Sequence, residues 1–328
     1  MSSPSHLLGK GHGVSFKAVA QRSAIPPLVV GRTFINLRPV APRSYPDAPY
    51  AQLSYSPENL SPMVPGASPS EGTWSPLGTN LGPGYAMFST FVQPTASSPS
   101  VGVVWINPVV AKLSIYAGTT QPGGNFPTMG AVSPLDQPSL LAAFEGGFQF
   151  NVANGGFFQA GKTGAPLVTG AATIAQYADG TIDIGSWGSE IVMNPSVVAL
   201  RQNLTLLVDN RALTSQAQAD NLNTWGYSLG NLLSTWRSGI GVTANGDVIW
   251  VGGPGLSPLT LAQTLLWAGA IRGMQLDINP DWVSFATFSS TPAGTSGSNL
   301  MGNMYFPASH YLTPFWRDFI AVFRRPAP

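Results

Sequence analysis

Short apolar runs that alternate with polar residues and close on turn residues recur along the chain from about Trp74 onwards. In AKLSIYAG, residues 111–118, Leu113 and Ile115 alternate with Lys112, Ser114 and Tyr116, the period of a half-buried strand. AMFSTFVQP at 86–94 and VGVVWINP at 101–108 read as further strands. Two hairpins carry explicit turn chemistry: Asp179-Gly180 in ATIAQYADGTIDIGSW and Asn245-Gly246 in GIGVTANGDVIWVGG, dipeptides that accept the positive φ of two-residue hairpin turns. The pattern then changes period. Ser257 caps a predicted helix opened by Pro258, with Leu261, Leu265 and Leu266 as its apolar stripe and Gly269 as its end. A strand over 271–278 follows, with Asp277 at its exit. QPSLLAAF, residues 137–144, predicts a helix of one to three turns, and the end of HYLTPFWRDFIAVFRR predicts a strand. The expected fold class is α+β, with β-rich mixed sheets and a few packed helices.

Upstream of this body, residues 1–70 read as a Pro-rich basic extension, with AIPPLVVGRTFINLRPV as its one strand pair and SPENLSPMVPGASPSEG as a connector. Residues 71–328 form the expected functional domain. The first 46 residues hold six basic side chains and no acid, whereas the rest hold 9 basic and 14 acidic ones, a balance of −5. The arm is expected to be a solvated tail or a contact for an anionic surface, and no nucleic-acid partner is expected.

Charged residues make up only 9% of the chain against 44% hydrophobic, which suits an extracellular or cell-surface location. No run approaches 18 uninterrupted apolar residues, so no transmembrane segment is expected. MSSPSHLLGKGHGVSF lacks the apolar region of an export leader, so none is expected in this chain. With no cysteine, disulfides, thiolate catalysis and Cys-ligated metals are excluded. His6, His12 and His310 are the only histidines, so no cofactor is expected beyond a calcium ion on oxygen ligands.

Acid–base chemistry falls to 14 carboxylates. Asp179 and Asp247 belong to turns, and Asp47, Glu58 and Glu71 to the irregular early chain. Asp277 directly follows an apolar strand, Asp318 lies between Arg317 and Phe319, and Glu145 precedes two glycines. Each has a plain alternative: a strand-exit carboxylate caps a loop, Arg237 is structural, His310 is a hydrogen-bonded core histidine, and most tryptophans are core. The chain also writes one phrase twice, Phe144-Glu145-Gly146-Gly147-Phe148 and Ala153-Asn154-Gly155-Gly156-Phe157. Glycines there either serve the backbone shape of a turn or let backbone approach a ligand closely.

Three passages, AAFEGGFQFNVANGGFF, the long run from WRSGIGVTANGDV to LDINPDWVSF, and HYLTPFWRDFIAVF, together resemble the phosphodiester glycosidase family over about residues 71–323. Arg237 and Gly241-Val242-Thr243 match the family's hairpin motif. Leu276-Asp277-Ile278-Asn279-Pro280 keeps its Asp but replaces its usual Leu-Asp-Gly-Gly-Gly-Ser loop, as in a bacterial branch with LDINP. Glu145 stands where the family has Asn, while Asn154 comes later than usual. The resemblance implies a hydrolase of the sugar–phosphate bond in a glycosyl phosphodiester, in a cell-wall or extracellular glycan. Asp277 would be nucleophile or base, and Glu145 or Asp318 the second carboxylate. Arg237, Asn154, Asn279, His310 and the backbone at Gly146, Gly147, Gly155 and Gly156 would bind the carbohydrate or glycosyl-phosphate substrate. A carboxyl separation of about 5–5.5 Å would give retention and about 6.5–9.5 Å inversion. A conventional glycoside hydrolase on the same site, and a catalytically silent glycan-binding module, are the alternatives.

Overall fold

A computed structural model describes residues 55–82, 84–153 and 155–326. The predicted strand pair at 24–40, the basic arm and Asn154 lie outside the described residues. In chain order the strands are β1 (Ser75–Asn80), β2 (Tyr85–Val92), β3 (Val101–Ile106), β4 (Ala111–Tyr116), β5 (Leu140–Glu145), β6 (Phe157–Gln159), β7 (Lys162–Ala165), β8 (Ala172–Tyr177) and β9 (Ile182–Ser186). They continue as β10 (Val197–Gln202), β11 (Leu206–Asp209), β12 (Ala212–Leu213), β13 (Thr235–Thr243), β14 (Val248–Leu256), β15 (Ala270–Ile278), β16 (Phe285–Thr291), β17 (Gly294–Asn299) and β18 (Phe319–Arg324). The helices are α1 (Ser215–Ala219), α2 (Leu222–Trp225) and α3 (Pro258–Trp267). The fold is α+β and β-rich. One sheet runs β1-β2-β3-β14-β13-β15-β11-β12, a second β7-β6-β10-β8-β9 and a third β17-β16-β5-β18-β4. The ladders between these strands are antiparallel, and parallel pairing among the described residues is confined to isolated bridges.

The three sheets share one core, in which Val104 and Trp250 of the first meet Ile174 and Ala199 of the second and Phe144 and Ile320 of the third. Along β14 the side chains divide by the two-residue period: Val248 and Trp250 enter this core, while Ile249 and Val251 enter a second one beneath α1–α3. A strand covered on both faces reads as a continuous apolar run, as VIWV does. Helix α3 starts as its sequence predicts, with a reciprocal cap in which Ser257 Oγ accepts from Thr260 N and Ser257 N donates to Thr260 Oγ1. Its Leu261 and Leu265 lie against Gly239, where a Cβ would stand 3.2 Å from both side chains and 2.9 Å from Met274 O.

Both predicted hairpins form, each by a loop one residue longer than expected. Tyr177 N donates to Thr181 O and Thr243 N to Asp247 O, so three residues separate each closing pair. Gly180 and Gly246 hold φ of 78° and 85°, the left-handed position such three-residue loops need. Segment 137–144 departs from its predicted helix. Only Gln137–Ser139 forms a single 3-10 turn, and Leu140–Glu145 is a strand buried along its whole length between β16 and β18. The apolar run LLAAF carries no period, and a central position in a covered sheet decides for strand. The change places Glu145 at a strand end, opposite Phe319 of β18.

Part of the Pro/Ser/Gly connector is attached to the body. Trp267 Nε1 donates to Ser61 O, Trp74 Nε1 to Glu58 O, and Leu60 and Met63 pack on the core beneath the helices. The Glu71 carboxylate accepts from Met63 N and Gln93 N.

Candidate active site

Three strand ends meet at one place: β15 delivers Asp277, β5 delivers Glu145, and the segment entering β18 delivers Arg317 and Asp318. Asp277 is 3% exposed. Its Oδ1 accepts from Ile278 N at 2.8 Å and its Oδ2 accepts from Arg317 Nη2. Its own N–H donates to Ser238 Oγ on the neighbouring strand. Burial is the largest influence on its titration and outweighs the Arg317 charge, while Glu145 and Asp318 push the same way as burial; together they raise it to about 7. Arg317 lies against the rings of Trp282 and Trp316, 4.4 and 5.5 Å from their centroids, and also donates to Gly147 O. Its Nε is buried with no partner among the described residues. Asp277 and Arg317 form part of the wall of an open pocket of about 140 Å³, shared with Phe148, Tyr227, Asn279 and Trp282.

Behind Asp277 lies a second polar group. Glu145, 1% exposed, approaches His310 Nε2 at 3.3 Å and accepts from Tyr311 OH at 3.5 Å through Oε1, while its Oε2 has no partner. His310 Nδ1 lies 2.7 Å from Pro307 O, and since a carbonyl only accepts, Nδ1 is the donor. The contact between Nε2 and Glu145 is then a hydrogen bond only when one further proton sits on either partner. Tyr311, held to Ser284 Oγ at 2.5 Å, is driven well above its ordinary range by burial and by the Glu145 charge.

Asp318 is differently placed. Its Oδ2 accepts from Arg201 Nε at 2.7 Å and its Oδ1 from Arg201 Nη2 at 3.1 Å, a two-point pair buried on both sides. This pair explains the first glycine phrase: a Cβ at Gly146 would stand 2.0 Å from Asp318 Oδ2, and one at Gly147 would stand 3.0 Å from Arg201 Nη2. The second phrase meets the same stretch of β10. A Cβ at Gly155 would stand 2.5 Å from Gln202 O, and Gly156 donates to Gln202 Oε1. The close approaches that require glycine are thus to protein atoms: Asp318 at Gly146, residues 201–203 at Gly147 and Gly155, and Pro166 and Leu167 at Gly156. Gly146→Ala is expected to lose about 1–3 kcal/mol of stability by overpacking, measured by urea unfolding, because the carboxylate it would displace is fixed by Arg201.

Arg237, in contrast, stands away from the pocket and is fully buried. Its guanidinium donates to the carbonyls of Leu256, Trp225 and Leu233 and to Gln275 Oε1, and burial lowers its titration to about 10. Four of its five N–H groups are engaged in joining β13 to β14, β15, α2 and the segment after it, and the cation in the pocket is Arg317. Asn279 does line the pocket, in a left-handed conformation with φ 79°, and its Oδ1 accepts from Leu229 N. Sequence reading missed Arg317, Arg201 and Tyr311. The one local signal was the adjacency of Arg317 to Asp318 in WRD. Among the described residues no group of three or more His, Asp or Glu side chains is placed to hold a metal ion, and no helix is long and apolar enough to cross a membrane.

No known family model matches the chain, and no curated protein matches it in sequence. Among solved structures the likenesses are distant. The catalytic domain of zebrafish N-acetylglucosamine-1-phosphodiester alpha-N-acetylglucosaminidase, auto-inhibited by its pro-peptide, is 14% identical over 76% of this chain and 87% of that one, with a TM-score of 0.46. A hypothetical protein from Synechocystis is 15% identical over 76% of this chain and 64% of its own, with a TM-score of 0.42. A Burkholderia pseudomallei protein described as exported is 11% identical over 72% and 74%, with a TM-score of 0.37.

Proposed function

We propose that the protein is a hydrolase that cleaves the bond between a sugar's anomeric carbon and phosphate in a glycosyl phosphodiester, in a cell-wall or other extracellular glycan. The observation that carries this reading is the Asp277–Arg317 pair on the wall of an aromatic-sided pocket, with a carboxylate that titrates at about 7. The residues quoted for the family resemblance include this aspartate. Trp282 and Tyr227 offer ring faces for a sugar, and Arg317 offers a fixed cation for the phosphate.

Phosphate leaves readily, so positioning and charge stabilisation matter more than strong acid assistance. Water supplies the hydroxyl that joins the anomeric carbon, the C–O bond to phosphate breaks, and the phosphate monoester departs with the bonding electrons towards Arg317. Asp277 either takes the water's proton or attacks the anomeric carbon first, and in both roles it must be ionised. Glu145, 3.3 Å from His310 Nε2, is the second carboxylate. For the glycosyl phosphodiester, kcat/KM is therefore expected to rise tenfold per pH unit below about 7 and to level off above it. A pH profile of free-sugar release tests this.

A titration near 7 also suits a conventional glycosidase in which protonated Asp277 assists a poor leaving group. That reading reverses the sign: its rate falls as pH rises through about 7. A profile that falls there with simple glycosides as the better substrates would replace the first reading with the second.

A further inference from the structure

A larger cleft of about 490 Å³ opens between the edge of the third sheet and the β8–β9 hairpin, and it shares no lining residue with the Asp277 pocket. Lys112, Ser114 and Tyr116 are alternate residues of β4 and line it from one side, while Leu113 and Ile115 turn into the core. Gln176 and Tyr177 at the end of β8 line it from the other. Tyr116 is 3% exposed, with its ring stacked on Phe319 at 4.7 Å, yet its hydroxyl has no hydrogen-bond partner among the described residues. The same holds for Lys112 Nζ, Ser114 Oγ, Gln176 Nε2 and Tyr177 OH. The Gln176 amide is oriented, because its Oε1 accepts from Ile115 N at 2.9 Å.

None of these polar atoms is sealed from solvent, so each is open to a ligand atom or to water within the cleft. The cleft's formal charges cancel, with Lys112 and Arg325 against Asp136 and Asp179. That balance gives a phosphate or carboxylate no advantage, whereas closely spaced neutral donors and acceptors beside tyrosine rings suit a polyhydroxylated ring. We infer that this cleft is a second binding site, for a neutral sugar unit, separate from the Asp277 pocket. Such a site would hold a glycan chain at a distance from the bond being cut. It stands independently of turnover at Asp277.

The test is equilibrium binding by ligand-observed NMR and calorimetry of the wild-type protein with methyl glycosides of glucose, galactose, mannose and N-acetylglucosamine, both anomers of each. At least one is expected to bind. Tyr116→Phe, which removes one oxygen from the cleft and keeps the packed ring, is expected to weaken it by about three- to tenfold. Tyr177→Ala is expected to weaken it comparably, and Arg317→Met to leave it unchanged. Near-UV circular dichroism checks that each variant is folded. Failure of all eight glycosides to bind at millimolar concentration overturns the inference. So does binding lost in Arg317→Met but kept in Tyr116→Phe, which would place the sugar in the Asp277 pocket, or displacement of the sugar by inorganic phosphate, which would make the cleft an anion site.

Discussion

Asp277→Asn is expected to lower kcat/KM by about 10²–10⁴-fold while making the protein more stable at pH 8. Activity falls because the amide neither accepts the water's proton nor attacks carbon. The gain in stability follows from linkage. Burial beside Glu145 and Asp318 raises the folded-state value of Asp277 from 3.8 to about 7, so the folded state binds a proton more tightly than the unfolded chain. This group's contribution to stability is present in full below about pH 4 and is lost as pH rises through about 7. At 1.36 kcal/mol per pH unit, the ionised carboxylate costs up to about 4 kcal/mol at pH 8. The amide resembles the protonated acid and avoids that cost. Thermal unfolding should show the variant above the wild type at pH 8, with the difference fading towards pH 4. A variant that is inactive and also less stable at pH 8 would mean that the Arg317 contact, not the proton, governs the pair.

The Arg201–Asp318 pair has the opposite expected signature. Asp318→Asn or Arg201→Met leaves one buried partner unmatched and is expected to cost about 3–5 kcal/mol, lowering the melting temperature by about 6–20 °C. The molecules that remain folded should keep most of their turnover, because both Asp318 oxygens are engaged by Arg201 and not by the pocket. The double variant Arg201→Met/Asp318→Leu should recover much of the loss, since two apolar side chains leave no charge behind. A fall in kcat at unchanged stability would return Asp318 to the catalytic group.

The features legible in the sequence were those whose cause is local. Asn245-Gly246 and Asp179-Gly180 make hairpins because the glycine takes a positive φ within the loop itself, and Ser257 caps α3 through a residue three positions on. Leu140–Glu145 was misread because its neighbours β16 and β18 lie more than a hundred residues downstream, and only they decide that the run is a strand. The site divides in the same way. Asp277 and Glu145 stood out as a carboxylate ending a run of apolar residues and one preceding paired glycines. Their partners did not, because Arg317 is 40 residues from Asp277 and Arg201 is 117 from Asp318. The repeated glycine phrase was visible as a demand for close approach, but that it faces Asp318, residues 201–203 and Pro166-Leu167 emerges only when distant segments are folded against it. Arg237 shows the reverse error: a conspicuous arginine in a motif-like hairpin, buried with four of its five donors bonded to the protein's own carbonyl oxygens.

The most direct measurement is the release of free sugar by the wild type and Asp277→Asn from two matched substrates, an aryl phosphodiester of a sugar 1-phosphate and the simple aryl glycoside of the same sugar and anomer. Both α-glucose and α-N-acetylglucosamine would be used. Cleavage of the phosphodiester in clear preference to the glycoside, abolished in Asp277→Asn, is the expected result. Cleavage of the simple glycoside alone, or phosphodiester cleavage that survives the loss of Asp277, would contradict the assignment.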